Sequence, residues 1–242
     1  MDGFEYIRRM GGLYCARTPR AALRGIRAGV APLESFVYKS LSVKPLFEEP
    51  YNLEELERVL ANPALSLGDA MLLVEIFSDM TRGPDKERAL FAAESLGALE
   101  GRWARRVEEL RPGAEGGGEG AYRYARALFE YALITGRYSS IRNYYLREAY
   151  YALSRNADSC ASAEGFDLRI RCLLRLGLIG QAESLIASEL GKRADGELLL
   201  LAVEAAFVRK DPSRVRELLA GRDIEVLGLA PELAELLTAW AA

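Results

Sequence analysis

The stretch Arg175-Leu176-Gly177-Leu178-Ile179-Gly180-Gln181-Ala182-Glu183-Ser184-Leu185-Ile186 decides how this chain folds. An apolar run up to Arg175 meets glycine at position 177, the residue that most readily takes the left-handed conformation closing a helix. Beyond it Ile179, Ala182 and Ile186 recur at three- and four-residue steps, the spacing of a second amphipathic helix. The segment therefore predicts the turn of a helical hairpin over residues 166–190. Upstream, residues 122–155 predict another pair broken at Thr135-Gly136-Arg137, and downstream residues 197–220 predict a third broken at Lys210-Asp211-Pro212. The breaks at Gly136, Gly177 and Lys210 stand 41 and 33 residues apart, periods that helical-hairpin repeats have.

Helical signals continue toward the N-terminus. Glycine-rich Gly113-Ala114-Glu115-Gly116-Gly117-Gly118-Glu119-Gly120 is costly to order and predicts a flexible loop or linker at 113–120. Before it, Ala89, Leu90, Ala92, Ala93, Leu96, Leu99, Trp103 and Val107 predict the longest helix, started after Gly83-Pro84-Asp85 and ended by Pro112. Ser66-Leu67-Gly68-Asp69 is a cap ahead of the apolar run Ala70 to Phe77, whose helix should be central. Asn52-Leu53-Glu54-Glu55 is a similar cap, for a helix to about Leu60. Residues 4–16, 19–29 and 32–42 predict short helices, two of them opened by Pro19 and Pro32. No segment alternates Val, Ile and Thr between turn residues as strands do. The fold class expected is all-α, with an N-terminal helical domain at 1–112 and helical repeats at 121–242.

Those repeats resemble the tetratricopeptide repeat. Gly177, Ile179, Ala182 and Ile186 stand at that family's offsets, and Ala194-Asp195 stands where its closing Pro-Asp would. Arg209-Lys210-Asp211-Pro212-Ser213-Arg214-Val215 is similar, with Val215 in the alanine place and Leu219 in the later apolar place. Gly136-Arg137-Tyr138 opens like a further repeat, with Ile141 in the alanine place, but the family's opening Trp-x-x-Leu-Gly is absent. The resemblance implies a right-handed superhelix of antiparallel helix pairs, a tetratricopeptide-like α-solenoid that holds protein partners. A second resemblance rests on Ser35-Phe36-Val37-Tyr38-Lys39-Ser40-Leu41-Ser42-Val43-Lys44-Pro45-Leu46-Phe47 and Ala89-Leu90-Phe91-Ala92-Ala93-Glu94-Ser95 between basic first helices and repeats. This arrangement is similar to soluble regions of bacterial proteins accompanying exopolysaccharide synthesis and export, of the Pel accessory kind. It implies a place in such an assembly.

Composition narrows the chemistry. The chain of 242 residues is 50% hydrophobic and 28% charged, enough to bury a large core. A net charge of -3 is not the footprint of a nucleic-acid binder, and no nucleic-acid partner is expected. The most apolar run, Leu198 to Val208, is too short to cross a bilayer and contains Glu204, so any membrane association would be peripheral. The first residues lack a basic start and apolar core, and a cytoplasmic location is expected. Cys15, Cys160 and Cys172 are odd in number and widely separated, so no disulfide-linked partner is expected either.

The chain has no histidine, which removes the commonest general base at neutral pH, the usual Ser/His and Cys/His nucleophiles and most zinc sites. Glu48-Glu49, Glu54-Glu55 and Glu108-Glu109 are adjacent in sequence, point about 100° apart on a helix and do not converge. The glycine run is not followed by a Lys-Ser/Thr pair, so it is no phosphate loop. No catalytic residue, cofactor or metal is expected, and the chain reads as a non-enzymatic scaffold or adaptor. An α-helical carbohydrate-active enzyme using two carboxylates from different elements is the alternative, since sequence does not show which acids face each other.

Residues 138–151 carry five tyrosines interleaved with Arg142, Asn143 and Arg147, and Tyr and Arg are enriched at binding hot spots. Arg142, Asn143, Tyr144, Tyr145 and Arg147 are the candidate site for a protein partner, against the competing reading that the tyrosines pack between hairpins. Eight basic and three acidic side chains between Met1 and Lys44 give a second candidate, since Arg20, Arg24 and Arg27 share a helix face that could meet an anionic surface.

Overall fold

The computed structural model describes residues 53–135, 139–155, 162–190 and 196–222. The short N-terminal helices, the basic face of Arg20, Arg24 and Arg27, Ser35–Phe47, the cap at Asn52, Cys15, Cys160, the turn at 136–138 and Ala194-Asp195 lie outside the described residues. Among the described residues the chain is all-α, with α1 (Leu53–Ala61), α2 (Leu67–Met80), α3 (Lys86–Leu110), a 3-10 helix (Arg111–Gly116), α4 (Gly118–Ile134), α5 (Ser139–Arg155), α6 (Ala163–Arg175), α7 (Ile179–Leu190), α8 (Gly196–Val208) and α9 (Pro212–Leu219). The chain divides into two compact units at Arg102–Trp103, inside α3.

In the first unit the helix starts follow the sequence. The Ser66 hydroxyl oxygen accepts the Asp69 amide at 3.1 Å and donates back to the Asp69 carboxylate at 2.7 Å, closing the first turn of α2. Asp85 accepts the amides of Glu87 and Arg88, both at 3.1 Å, and starts α3. The apolar run of α2 buries Ala70, Leu73, Ile76, Phe77 and Met80, while Phe77 meets Phe91 of α3 edge-on at 5.9 Å.

In the second unit each helix packs on its successor from α4 to α9, and α6 also touches both α4 and α8. Small residues explain the closest of these pairs. Ala121, Ala125, Leu128 and Ala132 form one buried ridge on α4, which lets α5 approach with Leu146, Ala149 and Leu153. α6 serves two cores from two faces. Leu168 and Cys172 join the α4–α5 cluster, whereas Ile170, Leu173 and Leu174 join Ala182, Ile186, Val215 and the apolar α8.

The quoted turn folds as its glycine requires. The Leu178 amide donates to the Leu173 carbonyl at 2.9 Å and the Gly177 amide to that of Leu174 at 3.1 Å, with Gly177 at φ 75°. This is a Schellman closure. The turn between α8 and α9 makes the same pair of bonds, Asp211 to Ala206 and Lys210 to Phe207, but puts Lys210 at φ 60° where glycine would be unstrained. Lys210→Gly is therefore expected to raise stability by about 1 kcal/mol in a urea melt, and an unchanged or lower midpoint would count against this strain. Asp211 then caps α9 at the Arg214 amide, 3.0 Å away, with Pro212 in the first turn.

The glycine run departs from its expected form. Residues 113–116 belong to the 3-10 helix, and α4 already begins at Gly118. Gly117 and Gly118 have φ of 68° and 55°, and a Cβ on Gly120 would collide with the carbonyl oxygen of Gly113. Glycine is used there for conformation and close approach in a packed corner.

Candidate functional site

The five residues singled out on α5 divide between its faces. Tyr144 and Arg147 are exposed, Arg142 and Asn143 are half-buried, and Tyr145 is half-buried against the core shared by α4 and α5. The Arg142 Nε donates to the Asn143 side-chain oxygen at 3.4 Å, a bond within the helix surface. Tyr145 meets Tyr131 of α4 edge-on, with ring centroids 4.6 Å apart, and Tyr144 meets Tyr145 at 5.1 Å. Tyr145 is thus a support for Tyr144 rather than a free contact residue. Packing and presentation share the same tyrosine cluster.

Two further tyrosines and an arginine belong to this neighbourhood. Tyr124 lies one heptad before Tyr131 on α4, on the same face, and both are half-buried. The Arg111 guanidinium is held above its ordinary pKa, first by its hydrogen bond to the Tyr124 hydroxyl and then by Glu108, whose carboxylate is 2.9 Å away. The spacing of Tyr124 and Tyr131 was a signal available in the sequence; their closeness to α5 was not.

The outward face of α5 is larger than the sequence window suggested. Ile141, Tyr144 and Tyr151 are 42%, 58% and 49% exposed, and steps of three and seven residues set them on one face with Arg155 four residues further on. Arg147 falls between the two tyrosines on that face, three residues after one and four before the other. Ile141, expected in an alanine-like core place, is exposed instead, and the buried positions of α5 are Leu146, Ala149 and Leu153.

No family model matches this chain. Neither the curated proteins nor the solved structures contain a match to it. The site must therefore be understood from its own geometry.

That geometry also bears on acid–base chemistry. Glu108 and Glu109 are both exposed, as is Glu54. Glu130 is buried, and instead of facing another carboxylate it accepts from Arg106 at 2.8 Å and from Arg126 at 3.0 Å. The same contact raises the Arg126 pKa above its usual value, with the Glu130 hydrogen bond the largest cause. Among the described residues no group of three or more His, Cys, Asp or Glu side chains could hold a metal. Burial pushes the Cys172 thiol up to about 12, leaving it a packed apolar side chain with little thiolate at neutral pH. No described helix is long and apolar enough to cross a membrane.

Proposed function

We propose that the chain is a non-enzymatic protein–protein interaction scaffold of the cytoplasm, a tetratricopeptide-like right-handed superhelix whose partner docks on the outward face of α5. The observation that supports this most is the alignment of Ile141, Tyr144 and Tyr151, all large and all exposed, on a helix whose other face is fixed in a core. An aromatic row of this kind is presented at little entropic cost, because each tyrosine has only two side-chain torsions and Tyr144 already rests on Tyr145. The packing of α6 on both α4 and α8 supports a stacked array.

The triple replacement Tyr144→Ala, Tyr151→Ala and Arg147→Ala is the test. All three side chains are exposed or half-exposed, so the melting curve is expected to move by no more than about 1–2 kcal/mol. Capture of native partners by the immobilised full chain is expected to fall at least about tenfold, the size of a lost hot-spot residue. Undiminished capture by the folded triple variant overturns the site.

A further inference from the structure

We infer that the partner segment received by α5 is an acidic amphipathic helix, laid along the Tyr144–Tyr151 face and into the groove that opens beside Tyr150. The inference rests on the scaffold reading above and adds the chemistry of what binds. Tyr150 and Tyr151 meet edge-on at 6.0 Å, so the last aromatic ring of the exposed row touches a ring that lines the groove. The groove is a shallow one with a volume of about 680 Å³, lined by Tyr150 of α5, Leu173 of α6, Leu178, and Gln181, Ser184 and Leu185 of α7. No charged side chain lines it. Leu178 is 41% exposed at its rim, because the left-handed turn at Gly177 holds it outside the core.

Charge decides the sign of the occupant. α5 carries three arginines, Arg142, Arg147 and Arg155, against the single acid Glu148. Arg147 and Arg155 are exposed, as is Arg175 at the end of α6 just before the groove's turn, and among the described residues none of the three is paired with a carboxylate. The Arg169 guanidinium lies 6.0 Å over the Tyr150 ring and adds positive potential to the wall. An uncharged, partly apolar groove, with unpaired cations on the α5 face and at the end of α6 two residues before its turn, is complementary to a segment with an apolar stripe and flanking Asp or Glu. The seven-residue spacing of Tyr144 and Tyr151 matches the repeat of a helix lying alongside, and no described strand edge offers an alternative mode of docking.

The experiment uses the full chain and fluorescence anisotropy with three labelled helical peptides. They share one leucine face and differ only in having Glu, Gln or Lys at the remaining positions. The Glu peptide is expected to bind about tenfold more tightly than the Gln peptide, and the Lys peptide more weakly still. Raising NaCl from about 0.1 to 0.5 M should erase the difference. Arg147→Ser with Arg155→Ser and Arg175→Ser should abolish the preference, bringing the three peptides to within about twofold of one another, whereas Tyr151→Ala should weaken all three and keep their order. Equal binding of the three peptides overturns the inference, and so does tighter binding to a proline-rich peptide, to phosphatidylserine vesicles or to single-stranded RNA. If the peptides fail while the triple variant at Tyr144, Arg147 and Tyr151 still loses partner capture, the acidic-helix inference falls and the scaffold reading stands.

Discussion

Gly120→Ala is expected to destabilise the second unit by about 3 kcal/mol, while Gly116→Ala in the same glycine run leaves stability within about 0.5 kcal/mol of the parent. The difference follows from what each new methyl group meets. At Gly120 it meets the backbone carbonyl of Gly113, which cannot rotate away as a side chain would, so the 3-10 helix must separate from the first turn of α4. At Gly116 it meets nothing within 4 Å. Relief by displacement is opposed at both ends, because α4 is anchored by Ala121, Ala125 and Leu128 and α3 by Val107 in the same core. A chain of this size loses about 2–4 °C of melting temperature per kcal/mol, so Gly120→Ala should melt roughly 6 °C or more below the parent. Thermal melts of the two variants followed by circular dichroism make the comparison, and equal melting temperatures would show a tether after all.

The glycine run shows where sequence patterns stop being informative. Five glycines in eight residues have the composition of a flexible linker, and composition alone does not distinguish glycine chosen for freedom from glycine chosen for space. The distinction needs the partner atom, here a carbonyl seven residues away. The hairpins after it were legible because their signals are local. Gly177 closes α6, Ala182 and Ile186 return at helical spacing, and all three do in the structure what that pattern implies. Lys210 carries no such mark, since lysine rarely takes a left-handed conformation; only Asp211-Pro212 after it betrayed the turn.

The candidate site was legible in the same uneven way. A tyrosine- and arginine-rich window is visible in residues 138–151, but which tyrosine faces outward depends on the rotation of α5 about its axis. Leu146, Ala149 and Leu153 fix that rotation, turning Tyr145 inward to Tyr131 and bringing Tyr151, absent from the chosen five residues, into line with Tyr144. The Arg126–Glu130 spacing of four residues is a sequence-visible pair, whereas Arg106 comes from another helix.

That three-residue clamp carries the second large effect, and the effect depends on which member is removed. Arg106→Met with Arg126→Met is expected to cost about 2–3 kcal/mol, because it leaves the Glu130 carboxylate in a site where its side chain is only 7% exposed. The arginines themselves are 52% and 58% exposed, so solvent screens the pairs and holds the loss below that of a fully buried triad. Glu130→Met should cost less than about 1 kcal/mol, since both guanidiniums can turn to water and a methionine of similar volume takes the same buried place. Adding Glu130→Met to the double variant should then restore most of what it lost, a reversal that neither a helix-propensity effect nor generic surface damage produces. Urea melts of the parent and the three variants complete the cycle. A double variant as stable as the parent would show that the carboxylate finds water without its arginines, and a triple variant no better than the double would move the cause from the buried charge to lost arginine packing along α3 and α4.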